Sequence, residues 1–333
     1  MPDTPAFRIY RDDNGHRTEL TRVPTPMPAP GEVLVRVLYS GINYKDALAG
    51  TGRGKVVKTF PITGGIDAAG IVETSNHPGF SPGDPVIATG WGLGFDHDGG
   101  YAGYLCVPGD WLQSLPAELD LRAAMILGTA GITAAFAVQR MLDNGQQPEL
   151  GPLLITGASG GVGCIAVAIL ARLGFEVVAM SGKPDLHDWL RSLGASDVLG
   201  RNDLAVEERP LGPARWGGAI DNVGGELLGT LTRTIVPAGN IASVGLAGGI
   251  TVNTTVMPFI LRGINLLGIN SVDIPNPIRA QLWQHLADDW QPARMADILT
   301  AIVSLEALPE LFEQMLLGRT HGRMLVTLED ANA

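Results

Sequence analysis

Cysteine is scarce in this 333-residue chain. Cys106 and Cys164 are the only two, and they form no C-x-x-C pair. They supply neither a disulfide framework nor a four-cysteine zinc site. The six histidines include no H-x-x-x-H pair, and none stands at ligand spacing from a cysteine. We therefore expect no bound metal and a reducing compartment, the cytoplasm.

Positive charge is also in short supply. Lys and Arg number 23 against 34 Asp and Glu, which gives a net charge of −11. Such a surface repels nucleic acid backbones and anionic lipids, so neither nucleic acid nor a membrane is an expected partner. The first 15 residues lack the apolar run of a secretory signal. The uncharged stretches 150–171 and 234–261 are broken by glycines and are typical of buried strands and turns.

What the chain has is apolar material and glycine. Hydrophobic residues make up 45% of it and charged residues 17%, with 44 glycines. The length predicts two domains. Up to about Leu121, short apolar runs alternate with turn residues, which predicts a β-rich, partly barrel-like region. An Ala-rich stretch of helical composition, 123–142, then marks a boundary.

The next segment alternates apolar strands with helices, which predicts a parallel, doubly wound sheet of the Rossmann type. Amphipathic helices and a last strand follow it. The expected strands are 153–156, 176–180, 197–199, 218–220, 240–244 and 322–328, and the expected helices are 165–173, 186–193, 278–290 and 308–317.

A glycine-rich loop is the most specific local signal. Residues 156–163 read T-G-A-S-G-G-V-G between a predicted strand and a predicted helix, and from Ala158 they form A-x-G-x-x-G, a variant of the dinucleotide fingerprint. Gly160 would let the backbone approach a pyrophosphate, and Gly163 would let the helix pack closely on the strand. The alternative is a tight turn without a ligand.

The second strand of this domain ends without the acidic residue that holds the ribose in NAD-specific folds. Ser181, Gly182 and Lys183 stand there instead, and they suit a 2′-phosphate. Arg201, after the third strand, is a second candidate cation. NADPH is therefore the expected cofactor, although both cations could also be ordinary solvated charges.

Several long motifs now stand in order along the chain: G-I-N-Y-K-D at 41–46, G-I-D-A-A-G at 65–70, G-T-A-G-I-T-A at 128–134 and the loop at 157–163. In them the chain resembles the medium-chain dehydrogenase/reductase superfamily, in its zinc-free quinone-oxidoreductase-like branch. The segments 89–92, 109–112, 245–249 and 255–262 are similar to the NADPH-dependent acrylyl-CoA reductase group.

The resemblance implies a GroES-like catalytic domain formed by 1–124 and 271–333, with an NADPH-binding Rossmann domain at 125–270 between them. Zinc-dependent relatives carry a Cys near position 43 and a His-Glu pair where this chain has Ile66 and Asp67. The apolar strand 263–270 resembles the edge by which relatives form dimers, so a homodimer is expected. The residues expected against NADPH are Tyr44, Ser159, Gly160, Gly161, Val162, Ser181, Gly182, Lys183, Arg201, Leu246, Ile260 and Ser271.

The expected reaction is hydride transfer to the β-carbon of a small enoyl-CoA, with protein donors stabilising the enolate in place of a metal. The family positions make Asn43 and Tyr44 the nearest donors, unless Asn43 only closes a turn and Tyr44 only packs. Asp67 has either a catalytic or a purely structural role. Three cations without a neighbouring acid, Arg53, Lys55 and Lys58, are candidates to receive the phosphates of coenzyme A, or else a solvated loop.

Three functions fit these residues. The first is NADPH-dependent reduction of acrylyl-CoA to propionyl-CoA. The second is reduction of free quinones or enones. The third is a protein that binds NADPH without turnover.

Overall fold

The structure is a computed structural model, and it describes residues 3–13, 15–204 and 209–328. The chain divides into two compact units. The first unit comprises Met1–Thr129, Val272–Ala287 and Ala296–Ala333, and the second comprises Ala130–Ser271 and Asp288–Met295.

The first unit contains a three-stranded and a seven-stranded sheet. The three-stranded sheet has the order β2-β1-β4. The larger sheet has the order β15-β16-β3-β5-β6-β8, with β7 also paired to β3. It is mixed, because β15 and β16 are parallel while its other pairs are antiparallel. The strands are β1 (Thr4–Asp12), β2 (Gly15–Val23), β3 (Glu32–Gly41), β4 (Ile62–Thr63), β5 (Asp67–Ser75), β6 (Pro85–Thr89), β7 (Tyr104–Pro108), β8 (Leu112–Ser114), β15 (Leu299–Val303) and β16 (Arg323–Thr327).

The core of this unit is apolar and aromatic. The rings of Phe7, Tyr101 and Phe312 contact one another, with centroids about 6 Å apart. These rings join buried aliphatic residues of the strands, such as Val35 and Val326. The chain has the mixed α/β architecture with a β-rich domain that the sequence predicted, although the sheets do not close into a barrel. The helices that lie in this unit are α1 (Tyr44–Thr51), α7 (Asn276–Ala287) and α9 (Leu308–Leu316).

The second unit is a six-stranded, wholly parallel sheet of order β11-β10-β9-β12-β13-β14. This is the strand order of a dinucleotide-binding fold, with its switch point between β9 and β12. The doubly wound prediction is confirmed. The strands are β9 (Leu153–Ile155), β10 (Val177–Met180), β11 (Asp197–Leu199), β12 (Trp216–Asp221), β13 (Ile235–Ser243) and β14 (Asn265–Gly268), and the helices are α3 (Gly161–Arg172), α4 (His187–Ser192), α5 (Gly225–Thr234) and α6 (Met257–Arg262).

The Ala-rich segment departs from its prediction. It forms α2 (Leu121–Asp143), but Gly128 lies outside helical geometry, with φ 49° and ψ −150°, so two helices meet there. This helix is also long and apolar enough to cross a membrane, yet 72% of its most apolar window is buried in the structure, as in a core helix. A short helix, α8 (Met295–Ile298), follows α7 along the chain.

Candidate active site

The glycine-rich loop connects β9 to α3, as predicted. Gly160 is the N-cap of α3, so the helix N-terminus with its unpaired N–H groups begins at the loop. A methyl group added at Gly163 would lie 2.5 Å from the carbonyl oxygen of Gly157, so only glycine allows this approach of helix to loop. Asn222 fixes the start of the loop, since its Nδ2 donates a hydrogen bond to the Thr156 carbonyl at 2.8 Å. These residues fit a bound pyrophosphate.

The structure brings together the residues predicted for the ribose phosphate. Ser181 Oγ donates to Ser159 Oγ at 3.0 Å, which links the end of β10 to the glycine-rich loop. The backbone N–H of Lys183 donates to Ser181 Oγ at 3.2 Å. Arg201 lies beside them, because a methyl group added at Gly182 would be 3.2 Å from its Nε. Burial lowers the pKa of the Lys183 ammonium.

Four further residues are predicted to contact the cofactor, namely Tyr44, Leu246, Ile260 and Ser271. Leu246 and Ile260 expose 58% and 72% of their surface. Ser271 accepts a hydrogen bond from Thr133 Oγ1 at 2.7 Å. All three lie in the second unit, whereas Tyr44 lies in the first.

Asn43 closes the start of α1 in the first unit. Asp46 Oδ2 accepts the backbone N–H of Asn43 at 2.9 Å, which satisfies one of the N–H groups that a helix start leaves without a partner. The amide side chain of Asn43 is also engaged. Its Nδ2 donates to Asp67 Oδ2 at 2.8 Å, and its Oδ1 accepts from Arg323 Nη1 at 3.1 Å.

Asp67 is the centre of a buried polar cluster and is wholly inaccessible to solvent. It accepts the backbone N–H and the hydroxyl of Thr129, at 3.0 and 2.5 Å, in addition to the Asn43 amide. Thr129 follows the break at Gly128, so these hydrogen bonds lie at the start of the second helical segment. Asp67, the first residue of β5, thus caps the start of the helical segment that follows Gly128.

Sequence reasoning missed Arg323, the cation of this cluster. Its Nη2 lies 3.6 Å from Asp67 Oδ2, and it donates to the carbonyls of Ile42 and Ile126, both at 2.9 Å. The residue is 3% exposed. The available signal was an arginine inside an apolar strand, since a buried charge needs a partner of opposite charge.

The charges of the cluster do not balance if every group is ionised. Asp46 and Asp67 are both fully buried, and burial raises the pKa of each carboxyl. Arg323 opposes the shift at Asp67. For Asp46, the neighbouring charge of Asp67 adds to burial, and its pKa rises to about 7. The phenol of Tyr101 also has a pKa well above its ordinary value, chiefly because it is buried.

Tyr44 differs from its buried neighbours. It is the first residue of α1 and exposes 43% of its surface. The next residue, Lys45, places its ammonium 4.5 Å from the centre of the Phe95 ring, and its pKa is lowered mainly by burial.

A cavity of about 310 Å³ in the first unit is lined by Trp91, Phe95, Trp111 and Lys58, among others. The indoles of Trp91 and Trp111 are nearly parallel, with centroids 6.0 Å apart. The two rings stack on each other, and the charged side chains of Lys58, Asp96 and Asp273 line the same cavity.

The predicted basic loop separates into paired and unpaired cations. Arg53 Nη2 lies 2.6 Å from Glu313 Oε2, and Lys58 Nζ lies 3.0 Å from Asp96 Oδ2. The segment itself contains no acid, but acids distant in sequence fold against these two cations. Lys55 has no ion pair among the described residues.

The residues that the structure describes include no group of three or more His, Cys, Asp or Glu able to hold a metal ion. Asn43 and Asp67, which resemblance places at two zinc-ligand positions of relatives, instead contact each other and Arg323.

The comparisons with known proteins agree with this architecture. Residues 29–117 match the alcohol dehydrogenase GroES-like domain family, and residues 161–288 match the zinc-binding dehydrogenase family. The probable acrylyl-CoA reductase AcuI of Escherichia coli is 48% identical over 89% of this chain and 91% of its own length. The putative quinone oxidoreductase YhfP of Bacillus subtilis is 48% identical over 91% of this chain and 92% of its own length.

Solved structures show the same similarity over the whole chain. The yhdH oxidoreductase of Salmonella enterica, in complex with NADP, is 42% identical with a TM-score of 0.93, over 98% of this chain and all of that one. The structure of Bacillus subtilis yhfP with NAD bound is 44% identical with the same TM-score and coverage. This chain therefore belongs to the medium-chain dehydrogenase/reductase superfamily, in its quinone-oxidoreductase-like branch that includes the acrylyl-CoA reductases.

Proposed function

We propose that this oxidoreductase reduces the C=C bond of acrylyl-CoA, or of a close small enoyl-CoA, to the saturated thioester with NADPH. The observation that carries the proposal is the position of Tyr44, an exposed phenol on a helix start that a buried network holds in place. The similarity to the probable acrylyl-CoA reductase supports the substrate. The chain is proposed to work in the cytoplasm, in keeping with its two free cysteines.

The NADPH assignment rests on the end of β10. Ser181 and Lys183 follow the strand directly, where NAD-specific folds carry an acidic residue, and the Arg201 guanidinium lies beside Gly182. A 2′-phosphate gains charge-assisted hydrogen bonds at such a site. One similar structure holds NADP and another holds NAD, so the preference is a property to be measured on this chain.

When bound, NADPH supplies a hydride to the β-carbon of the unsaturated thioester. We infer that the Tyr44 hydroxyl donates to the developing enolate or relays the proton that the α-carbon receives. Asn43 and Asp67 are positioning residues in this proposal. The amide nitrogen and oxygen of Asn43 are both hydrogen-bonded within the protein, and Asp67 is inaccessible to solvent. Arg323 holds both of them through its buried guanidinium.

A second function, reduction of free quinones, has one structural observation in its favour. The cavity beside Trp91, Phe95 and Trp111 has aromatic walls that suit a flat quinone ring. The similarity to a putative quinone oxidoreductase points the same way. Coenzyme A dependence separates the two functions, since a true thioester reductase uses acrylyl-CoA far better than a free enone of equal reactivity.

The experiment is NADPH oxidation measured over short enoyl-CoAs, quinones and free enones, followed by isotope analysis. NADPH deuterated on the transferred face should place label at C3 of the propionyl group, and solvent deuterium should appear at C2. Cofactor label at C2 would contradict hydride addition to the β-carbon. Faster turnover of quinones than of every thioester would favour the second function.

We also propose a homodimer. Strand β14 is the edge of the parallel sheet, and Leu266 on it is exposed, so the edge is open to pairing with a second copy. Light scattering at micromolar concentration measures the mass directly, and a monomeric mass would contradict the proposal.

A further inference from the structure

The first unit contains a second cavity, of about 390 Å³, away from the buried cluster around Asp67. Its basic side chains come from three separate segments: Arg11 from β1, His16 from β2 and Lys55 from the segment after α1. Val57 and Phe60 contribute an apolar wall. Among the described residues, no carboxylate lines it.

The cations of this cavity differ from the others nearby. In the described part of the chain, neither Arg11 nor Lys55 has an ion-pair partner, whereas Arg17, on the same hairpin, contacts the carboxylate of Asp12. Arg53 and Lys58 are likewise paired with acids. In a chain with a net charge of −11, two unneutralised cations at one cavity form a local positive field.

The imidazole of His16 is fixed at the cavity wall. Its Nε2 lies 2.9 Å from the Gly50 carbonyl oxygen, and because a carbonyl only accepts, this nitrogen carries the hydrogen. Nδ1 then accepts a hydrogen bond in the neutral ring and donates one when the ring is protonated. A guanidinium and an ammonium at one cavity are donors that phosphate groups prefer.

The cavity also has a fixed relation to Tyr44. Helix α1 begins at Tyr44 and ends at Thr51, and Ala49 and Gly52 at its far end line the cavity. Eight helical residues span about 12 Å. A ligand at both ends of α1 must therefore carry its reactive group and its phosphates on a long connecting arm, as an acyl-coenzyme A does.

We propose that this cavity binds the phosphate-bearing adenosine end of coenzyme A while the acyl group reaches Tyr44. The proposal rests on the proposed function for its ligand. It moves the phosphate contacts from Arg53 and Lys58, which acids neutralise, to Arg11 and Lys55.

The first test is kinetic and uses Arg11→Gln combined with Lys55→Gln. The matched control is Arg36→Gln combined with Arg191→Gln, which removes one partly buried and one exposed cation that are paired with Glu73 and Asp188. We expect KM for acrylyl-CoA to rise about tenfold to a hundredfold in the first variant, more at low salt, with kcat unchanged. Acrylyl-pantetheine, which lacks the adenosine phosphates, should show no rise in KM, and the control should match the wild type.

Two kinetic outcomes overturn the proposal. One is an unchanged KM for acrylyl-CoA in the Arg11 and Lys55 variant. The other is an equal rise for acrylyl-CoA and acrylyl-pantetheine, since that would mean that the residues shape the protein rather than contact phosphate.

The second test is a direct titration that does not depend on turnover. Adenosine 3′,5′-bisphosphate is titrated calorimetrically into the enzyme saturated with NADP⁺, so that the nucleotide site is already occupied. Binding by the wild type, with affinity reduced at least about tenfold in the Arg11 and Lys55 variant, supports the proposal. Equal affinities of wild type and variant, or no binding by either, overturn it.

A third titration, with inorganic phosphate alone, identifies the source of the ligand. If phosphate binds as tightly as the bisphosphate, the cavity is a general anion site and the coenzyme A assignment is overturned. If the enzyme reduces no enoyl-CoA but the bisphosphate still binds through Arg11 and Lys55, the proposed function fails while the phosphate site stands.

Discussion

Asn43 Nδ2 donates a 2.8 Å hydrogen bond to Asp67 Oδ2, which ties the residue before the exposed Tyr44 to the first residue of a central strand. Arg323 contacts both partners from the last strand of the unit. The helix that carries the proposed proton donor is thus anchored to the core of the first unit through polar contacts inaccessible to solvent.

Asp67→Asn should strongly destabilise the protein. The substitution keeps the volume but leaves the buried Arg323 without a carboxylate, and breaking a buried pair in this way costs about 3 to 5 kcal/mol. Urea unfolding at neutral pH measures the loss. Glu313→Gln, which removes the acid of an exposed pair with Arg53, is the control and should cost less than about 1 kcal/mol. Similar losses in the two variants would contradict the structural role of Asp67.

Stability should depend on pH through Asp46. Its pKa is raised from an ordinary value of 3.8 to about 7, so the native state holds a proton that the unfolded chain loses between these values. The stability from this group is therefore complete below about pH 4 and is lost as pH rises through 7. Asp46→Asn should remove this contribution to the pH dependence of the unfolding free energy. The substitution also weakens the contact with the Ile66 N–H. Parallel pH profiles of unfolding free energy for the two proteins would show that Asp46 is not the titrating group.

The sequence predicted local features well and distant ones poorly. Local signals placed one part of the candidate site. Fewer than 30 residues separate the glycine-rich loop from Ser181 and Lys183, which follow β10, so strand, turn and helix signals predict that they lie together. Arg323 and Asn43, by contrast, are separated by 280 residues. No periodicity or turn signal reports such a pairing.

The break in α2 also involves a residue that is distant in sequence. The Ala-rich composition of 123–142 predicts one continuous helix, and Gly128 alone costs a helix only about 1 kcal/mol. At the break, the carboxylate of Asp67, which lies on another element, accepts the backbone N–H and the hydroxyl of Thr129. A methyl group added at Gly128 would also lie 2.5 Å from Asp67 Oδ2, so the packing around the carboxylate requires glycine there.

Lys183→Ala should shift cofactor use. If Lys183 contacts the 2′-phosphate, the loss of a charge-assisted hydrogen bond of about 1.5 to 3 kcal/mol raises KM for NADPH roughly tenfold to a hundredfold and leaves KM for NADH nearly unchanged. Arg191→Ala, an exposed arginine on the neighbouring helix that is paired with Asp188, is the control and should leave both constants unchanged. Wild-type enzyme that uses NADH and NADPH equally well would refute the assignment.

Activity should not require zinc. The resemblance places zinc ligands of relatives at the positions of Asn43 and Asp67, and here the positive charge beside Asp67 is the guanidinium of Arg323. Elemental analysis of purified protein should find no stoichiometric metal, and NADPH oxidation should be the same before and after EDTA. Inactivation by EDTA that added zinc reverses would contradict this prediction.

Tyr44→Phe should separate chemistry from binding. The variant keeps the ring at the start of α1, so the network of Asn43 and Asp67 is undisturbed and KM for NADPH should not change. Loss of the hydroxyl removes the proposed donor, and positioned proton donors contribute about a hundredfold or more, so kcat should fall by at least tenfold. The solvent deuterium isotope effect on kcat should rise, because protonation of the α-carbon becomes slower relative to the other steps. Tyr104→Phe, on β7, loses the same hydroxyl away from α1 and serves as the control. A kcat equal to wild type in Tyr44→Phe would assign the residue to packing alone and return the proton donor to an unidentified group or to water.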